Sequence, residues 1–308
     1  MSEQELSPEE AYEQQKSNCI FCKIIKGDIP SNKIHEDKNF VAILDINPAS
    51  KGHVLIVPKE HLVIMPQMNP TLVGSLGVFI KNISTKIIKN LGTSGTSIFI
   101  ANGAVAGQRS PHFIAHIIPR EEGDDIKLNP NPTKIEGHSE IIKKISKGIG
   151  QPNEGEILLE DEELGVICPE NGFSKGHIII APKQKFVIIE EIQDKLLEKI
   201  FQVSNKLLSV LFDNLGCQGT NLLIQNGLSA GQTNSQFSIN IIPRFEDDGL
   251  DLSWQNTSIS KEDLEEVEID LKQVKSLDTK PNIKKEEVVK ASEPIKESYL
   301  TKSLNRLP

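Results

Sequence analysis

Lys51-Gly52-His53-Val54-Leu55-Ile56-Val57-Pro58-Lys59 returns later in the chain as Lys175-Gly176-His177-Ile178-Ile179-Ile180-Ala181-Pro182-Lys183. The offset is 124 residues, the distance from His53 to His177. The same offset carries Asn102-Gly103 onto Asn226-Gly227 and Gly107-Gln108 onto Gly231-Gln232. It also carries Ile117-Ile118-Pro119-Arg120 onto Ile241-Ile242-Pro243-Arg244, and no gap is needed from 53 to 120. Solenoid repeats are shorter, at roughly 20–50 residues, so this period means a duplicated domain. The length agrees: 308 residues suit about two domains.

Each copy reads alike. An alternating strand near Ile34 leads into Phe40–Leu44 and an apolar strand at His53–Val57. Asn69-Pro70 is a helix start, because Asn caps free amides and Pro suits the first turn. Leu72, Leu76, Ile80, Ile83 and Ile87 then recur at helical spacing until Gly92 and Gly95. Strands at Thr96–Asn102 and Phe113–Pro119 follow. In the second copy Ile192, Leu196, Ile200, Leu207 and Leu211 mark the helix, with strands near Thr220–Asn226 and Phe237–Pro243. Antiparallel strands closing on a long helix predict an α+β architecture in each copy. Three extensions remain. Residues 1–17 contain Ser7-Pro8-Glu9-Glu10, with capping-box spacing. The linker, 126–154, contains a stiff Asn129-Pro130-Asn131-Pro132 stretch and a short helix near Ser139–Lys147. The tail, 256–308, is charged and expected to be largely disordered; its apolar cluster at Tyr299–Leu307 suits either a docking segment for a protein partner or, the favoured reading, a tail that simply solubilises.

Composition excludes several classes. The net charge of −9 argues against a nucleic-acid partner held by phosphate contacts. Four cysteines are too few for a disulfide scaffold. Met1-Ser-Glu-Gln-Glu-Leu lacks the basic and apolar regions of a secretory signal. No apolar run approaches the ~18 residues of a membrane span. The expectation is a soluble, cytoplasmic protein.

Cys19-Ile-Phe-Cys22 pairs two thiols at the spacing of a zinc knuckle. A redox role is the other reading of this pattern, but a redox pair normally opens a helix after a strand, and this one precedes the first strand. His61 and His112 are candidates for the remaining zinc ligands. Cys168 and Cys217 are unpaired and read as core residues.

Cys19-x-x-Cys22, Leu44-Asp45-Ile46-Asn47-Pro48, Gly52-His53, Pro58-Lys59-Glu60-His61, Asn102-Gly103, Gly107-Gln108 and His112–Arg120 together resemble the histidine triad (HIT) superfamily of nucleotide hydrolases and transferases. The resemblance covers roughly residues 18–125, and through the repeat it extends to 155–255. It implies two HIT-like domains, each an antiparallel sheet with a long helix, paired as an intrachain pseudo-dimer. It also implies structural zinc on Cys19, Cys22, His61 and His112 in the first domain. The second domain has Lys185 and Gln236 where the histidines would stand, and is expected to be metal-free.

The family signature is His-φ-His-φ-His-φ-φ, whose middle histidine attacks the α-phosphate. Here the stretch reads His112-Phe113-Ile114-Ala115-His116-Ile117-Ile118. Ile114 stands at the nucleophile position, and a hydrocarbon cannot attack. The second copy reads Gln236-Phe237-Ser238-Ile239-Asn240-Ile241-Ile242, with Ser238 at that position and no base two residues away. No catalytic residue is assigned. By resemblance Asp45 holds the ribose, while Asn102, Gly107, Gln108, Arg109 and His116 line the phosphate position of a purine nucleotide or nucleoside phosphate. Asn102 and Gly107 equally suit the loop itself. Pro169 replaces Asp45 in the second copy. The expected function is a catalytically degenerate tandem HIT protein that binds nucleotide or protein. The alternative is a HIT-type hydrolase or nucleotidyl transferase using a non-standard residue such as His116 or Ser238.

Overall fold

The structure, a computed structural model, describes residues 7–151 and 155–273. Helix α1 (Pro8–Asn18) opens on the capping box of Ser7 and Glu10, and α2 (Ile20–Lys26) carries the first cysteines. Strands β1 (Lys33–Glu36), β2 (Phe40–Leu44) and β3 (Val54–Pro58) lead into the long helix α3 (Pro70–Leu91). Asn69 caps α3, accepting from the Leu72 amide at 2.9 Å, and Gly92 ends it in the left-handed conformation. Strands β4 (Gly95–Asn102) and β5 (Ala115–Arg120) complete the first copy. β5 begins two residues later than the alternation predicts.

The second copy repeats this order. After β6 (Thr133–Lys134) and α4 (His138–Ile149) come β7 (Ile157–Glu160), β8 (Leu164–Ile167), β9 (Asn171–Gly172) and β10 (Ile178–Pro182). Helix α5 (Asp194–Val210), β11 (Gly219–Asn226), β12 (Ile239–Arg244) and α6 (Lys261–Lys272) follow.

Ten strands form one sheet in the order β1-β2-β3-β5-β4-β11-β12-β10-β8-β7. The copies join where β4 pairs antiparallel with β11, from Thr220 opposite Asn102 to Asn226 opposite Thr96. This joint covers two edges that would otherwise offer unpaired amides. On one face α3 crosses α5 so closely that a Cβ on Gly77 would lie 2.5 Å from the Phe201 ring. By length and composition α3 could cross a membrane, but its apolar residues are buried here against the sheet and α5.

Pseudo-symmetry continues past the last strand of each copy. Arg120 donates to Asp124, Ser97 and the Ile126 carbonyl. Arg244, one repeat later, donates to Asp248, Asn221 and the Leu250 carbonyl. Each clamp turns the chain toward the other copy. Ile126 and Leu128 from one arm, with Leu252 from the other, join Phe99, Ile118, Leu223 and Ile242 in a core on the sheet face opposite α3 and α5. The arms then hydrogen-bond at equivalent places. Thr133 pairs with Gly172, and the Thr257 amide donates to the Pro48 carbonyl at 2.7 Å. Finally α4 packs on α5 and β7 of the second copy, while α6 packs on α3 and β1 of the first.

Two sequence expectations are therefore corrected. The stretch 126–154 is more than a linker, because its described part builds the cover of the second copy. The start of the 256–308 tail is ordered: Val267 and Leu271, one helical turn apart, are buried beside α3, and Ser260 caps α6 by accepting from the Asp263 amide. The Tyr299–Leu307 segment lies outside the described residues.

Candidate functional site

Cys19 caps the start of α2 and Cys22 lies one turn on, so both thiols leave the same helix end. His61 follows β3, and His112 precedes β5. All four side chains are buried and their donor atoms lie within 4.8 Å of one another. Cys19 Sγ is 3.4 Å and Cys22 Sγ 3.6 Å from His112 Nδ1. His61 Nδ1 is 3.3 Å from Cys22 Sγ and 3.2 Å from His112 Nδ1. Ligands at about 2.0–2.3 Å from a tetrahedral zinc stand roughly 3.3–3.8 Å apart, so this donor set fits the ion. His112 Nε2 donates to the Pro58 carbonyl at 2.9 Å, which leaves Nδ1 unprotonated and aimed inward. Burial lowers the His112 pKa to about 4 and raises the Cys22 thiol to about 11. Two imidazole nitrogens facing each other in a dry site are a pair that a shared cation would satisfy.

The second cluster lies on the same sheet face. The Ala49 amide donates to His53 Nδ1 at 3.1 Å, so His53 carries its proton on Nε2. That nitrogen donates to His116 Nδ1 at 3.1 Å. Asp45 Oδ2 is 3.5 Å from His53 Nδ1. Asp45, His53 and His116 are close enough to suggest a metal, but both His53 nitrogens are already engaged, one by the Ala49 amide and the other by His116. Burial raises the Asp45 pKa and lowers that of His116 to about 4. His53 is held well below its ordinary value by burial and by the neighbouring His116.

Ile114 lies between His112 and His116, just ahead of β5. Its side chain joins Phe21, Ile24 and Ile25 over Val41, Ile43, Leu55 and Val57. Asn102 is fully buried and committed: its Oδ1 accepts from the Met65 amide at 2.8 Å and its Nδ2 donates to Thr220 of the other copy at 3.2 Å. Gln108 accepts from the Gly103 amide and donates to the Val63 and Ser110 carbonyls. Gln232 makes the equivalent three bonds in the second copy. Both amides thus brace loops. Gly107 turns with φ +90° and Arg109 is exposed.

One residue of this site escaped the sequence reading. Trp254 arrives from the second copy's arm and sets its indole edge-on to His53, His116 and Phe99, with centroids 5.7, 5.2 and 5.6 Å away. In the second copy Phe173 stacks on His177 at 4.4 Å, and His177 shares a 3.1 Å hydrogen bond with Asn240.

A model of the HIT domain matches the chain twice, over residues 26–123 and 151–247, and the chain belongs to this family as a tandem member. A HIT-like protein of Methanocaldococcus jannaschii is 43% identical over 129 residues, covering 41% of this chain and 98% of the relative. An adenylylsulfatase of Arabidopsis thaliana is 41% identical over 109 residues, or 35% of this chain, and the match spans 55% of that protein's length. Among solved structures, an ADP-glucose phosphorylase from Arabidopsis thaliana is similar with a TM-score of 0.55 at 14% identity, covering 84% of this chain and 90% of that one. That likeness is one of fold.

Proposed function

We propose that this chain is a non-catalytic tandem HIT protein whose first copy binds a nucleotide or nucleoside without turning it over. The observation that carries this reading is Ile114, which fills the nucleophile position and packs into an apolar cluster with α2. His116 offers no replacement. Its Nδ1 already accepts from His53, and a pKa near 4 makes it a poor base at neutral pH. In the second copy Asn240, two residues beyond Ser238, is bonded to His177 and carries no basic nitrogen.

Binding is supported by what remains. Phe21, Ile24 and Ile25 over β2 and β3 make an apolar wall, and Asp45 continues the same face of β2 as Val41 and Ile43. Ile20 and Ile46, next in sequence to Phe21 and Asp45, are 54% and 70% exposed. An apolar wall ending in a carboxylate suits a base and the hydroxyls of its ribose. The adenylylsulfatase relative agrees with a nucleotide-type ligand. In this reading Cys19, Cys22, His61 and His112 hold one zinc, which pins α2 to the ends of β3 and β5 and so shapes the wall. In the second copy Pro169 replaces the carboxylate and Phe173 covers His177, which supports a structural role.

Equilibrium dialysis of the full chain against labelled adenosine, AMP and the other common nucleosides and nucleotides tests this. One site per chain is expected, weakened about tenfold or more by Asp45→Ala, in line with about 1.4 kcal/mol for a lost charged hydrogen bond. Binding of none of these compounds would overturn it.

A further inference from the structure

Most side chains placed to meet a phosphate beyond the ribose are, in this chain, already engaged or hydrocarbon. Ile114 supplies only methyl groups. Trp254 and Phe99 present ring surface, and Ala101 and Ala106 belong to the same apolar core. Loop amides are the usual alternative, since successive backbone N–H groups make anion nests. Here the Ala106 and Gln108 amides donate to the Gly103 carbonyl at 3.1 and 3.2 Å, and the Gly107 amide donates to Ala104 at 2.9 Å. The Asn102 and Gln108 side chains are bound internally. Ser110 Oγ accepts from the His112 amide at 3.1 Å, which leaves the loop one neutral hydroxyl donor. Arg109 is the one cation of this loop and lies exposed, where an ion pair is worth about 0–1 kcal/mol.

Resting on the reading that the first copy takes a nucleoside moiety, we propose that its ligand carries no phosphate: the site selects a free nucleoside over the corresponding nucleotides. His116 fits such a ligand. Its Nδ1 accepts from His53, so its Nε2 carries a proton. A single neutral donor matches one hydroxyl oxygen, and it leaves a dianion largely unsatisfied. The indole of Trp254, held 5.2 Å from His116, adds an apolar ring wall beside that imidazole. The second copy supplies this wall, so the selectivity belongs to the pair of domains.

The chain has one tryptophan, so its fluorescence reports on this place alone. The full chain is titrated with adenosine, guanosine, cytidine and uridine, and with each 5′-monophosphate, and the constants are checked by equilibrium dialysis. The best nucleoside should bind at least tenfold more tightly than its own monophosphate. Ile114→His should narrow that ratio by restoring a polar partner, and Trp254→Ala, followed by dialysis, should narrow it by opening the wall. A monophosphate that binds as tightly as its nucleoside, or more tightly, overturns the selectivity and leaves the binding function standing. Binding of neither overturns both.

Discussion

Trp254, carried by the second copy, stands edge-on to His116 of the first, with ring centroids 5.2 Å apart at 66°. The relationship exists because each copy sends its chain across the sheet after its last strand. Arg120 and Arg244 hold these crossings by equivalent bonds to Asp124 and Asp248. If the indole is what keeps water from the imidazole, Trp254→Ala should raise the His116 pKa from about 4 by about one unit or more, toward its ordinary value near 6.5. An NMR titration of the histidine ring signals measures this, and an unchanged value would show that other groups bury the ring.

The crossing also couples the stability of the two copies. Leu271 is fully buried beside α3 although it lies beyond the second copy's last strand. Leu271→Ala should cost about 2–5 kcal/mol in denaturant unfolding. Hydrogen exchange should speed up in α3 and β1, which belong to the first copy. Leu128→Ala should do the converse, loosening the arm beside Leu223 and Ile242. Exchange that increases only in the copy next to the mutation in sequence would contradict the observed wrapping.

For the metal, purified full chain should carry one zinc, and the second copy should add none. Cys22→Ser should abolish retention of the ion and lower the melting temperature, because the buried His61–His112 contact loses what holds it together. Elemental analysis with thermal melts in the presence and absence of chelator decides it. A chain that melts at the same temperature with and without zinc would refute a structural ion.

His177 provides a pH prediction away from the metal. Burial holds its pKa at about 4 in the folded chain, below the unfolded value near 6.5. The unfolded chain therefore takes up a proton first as pH falls. The His177 contribution to stability is complete above about pH 6.5, declines between about 6.5 and 4, and is gone below that range. His177→Gln, which keeps a donor toward Asn240, should flatten this part of the stability-versus-pH curve. Chemical denaturation across that range gives the comparison, and parallel curves for the two proteins would refute the assignment.

Much of this was legible in the sequence because the repeat and the donor residues are local patterns. Asn69-Pro70, the stripe from Leu72 to Ile87 and the Cys19–Cys22 pair each announce their element within a few residues. The exchanged arms were harder to see. The offset of 124 continues through Asp124 and Asp248, Leu128 and Leu252, and Thr133 and Thr257, but these matches are scattered among dissimilar residues. Leu264, Val267 and Leu271 have helical spacing, yet the surrounding Glu and Lys residues disguise it as a solvated tail. Trp254 sits in a stretch without periodicity, so its site depends on a tertiary contact that no local pattern encodes. Asn102 and Gln108 were assigned to phosphate by resemblance. Their reappearance as Asn226 and Gln232 in a copy without any triad histidine was the available sign that they brace loops.

The central claim is that the family's nucleotidyl chemistry is absent while a binding site remains. The most direct measurement is turnover by the zinc-loaded full chain of adenosine 5′-phosphoramidate, adenylyl sulfate and dinucleoside polyphosphates. No release of AMP above the buffer rate is expected, with activity appearing, if at all, only in the Ile114→His variant. Multiple turnovers by the unaltered chain, lost on substituting His116 or Ser238, would contradict the account.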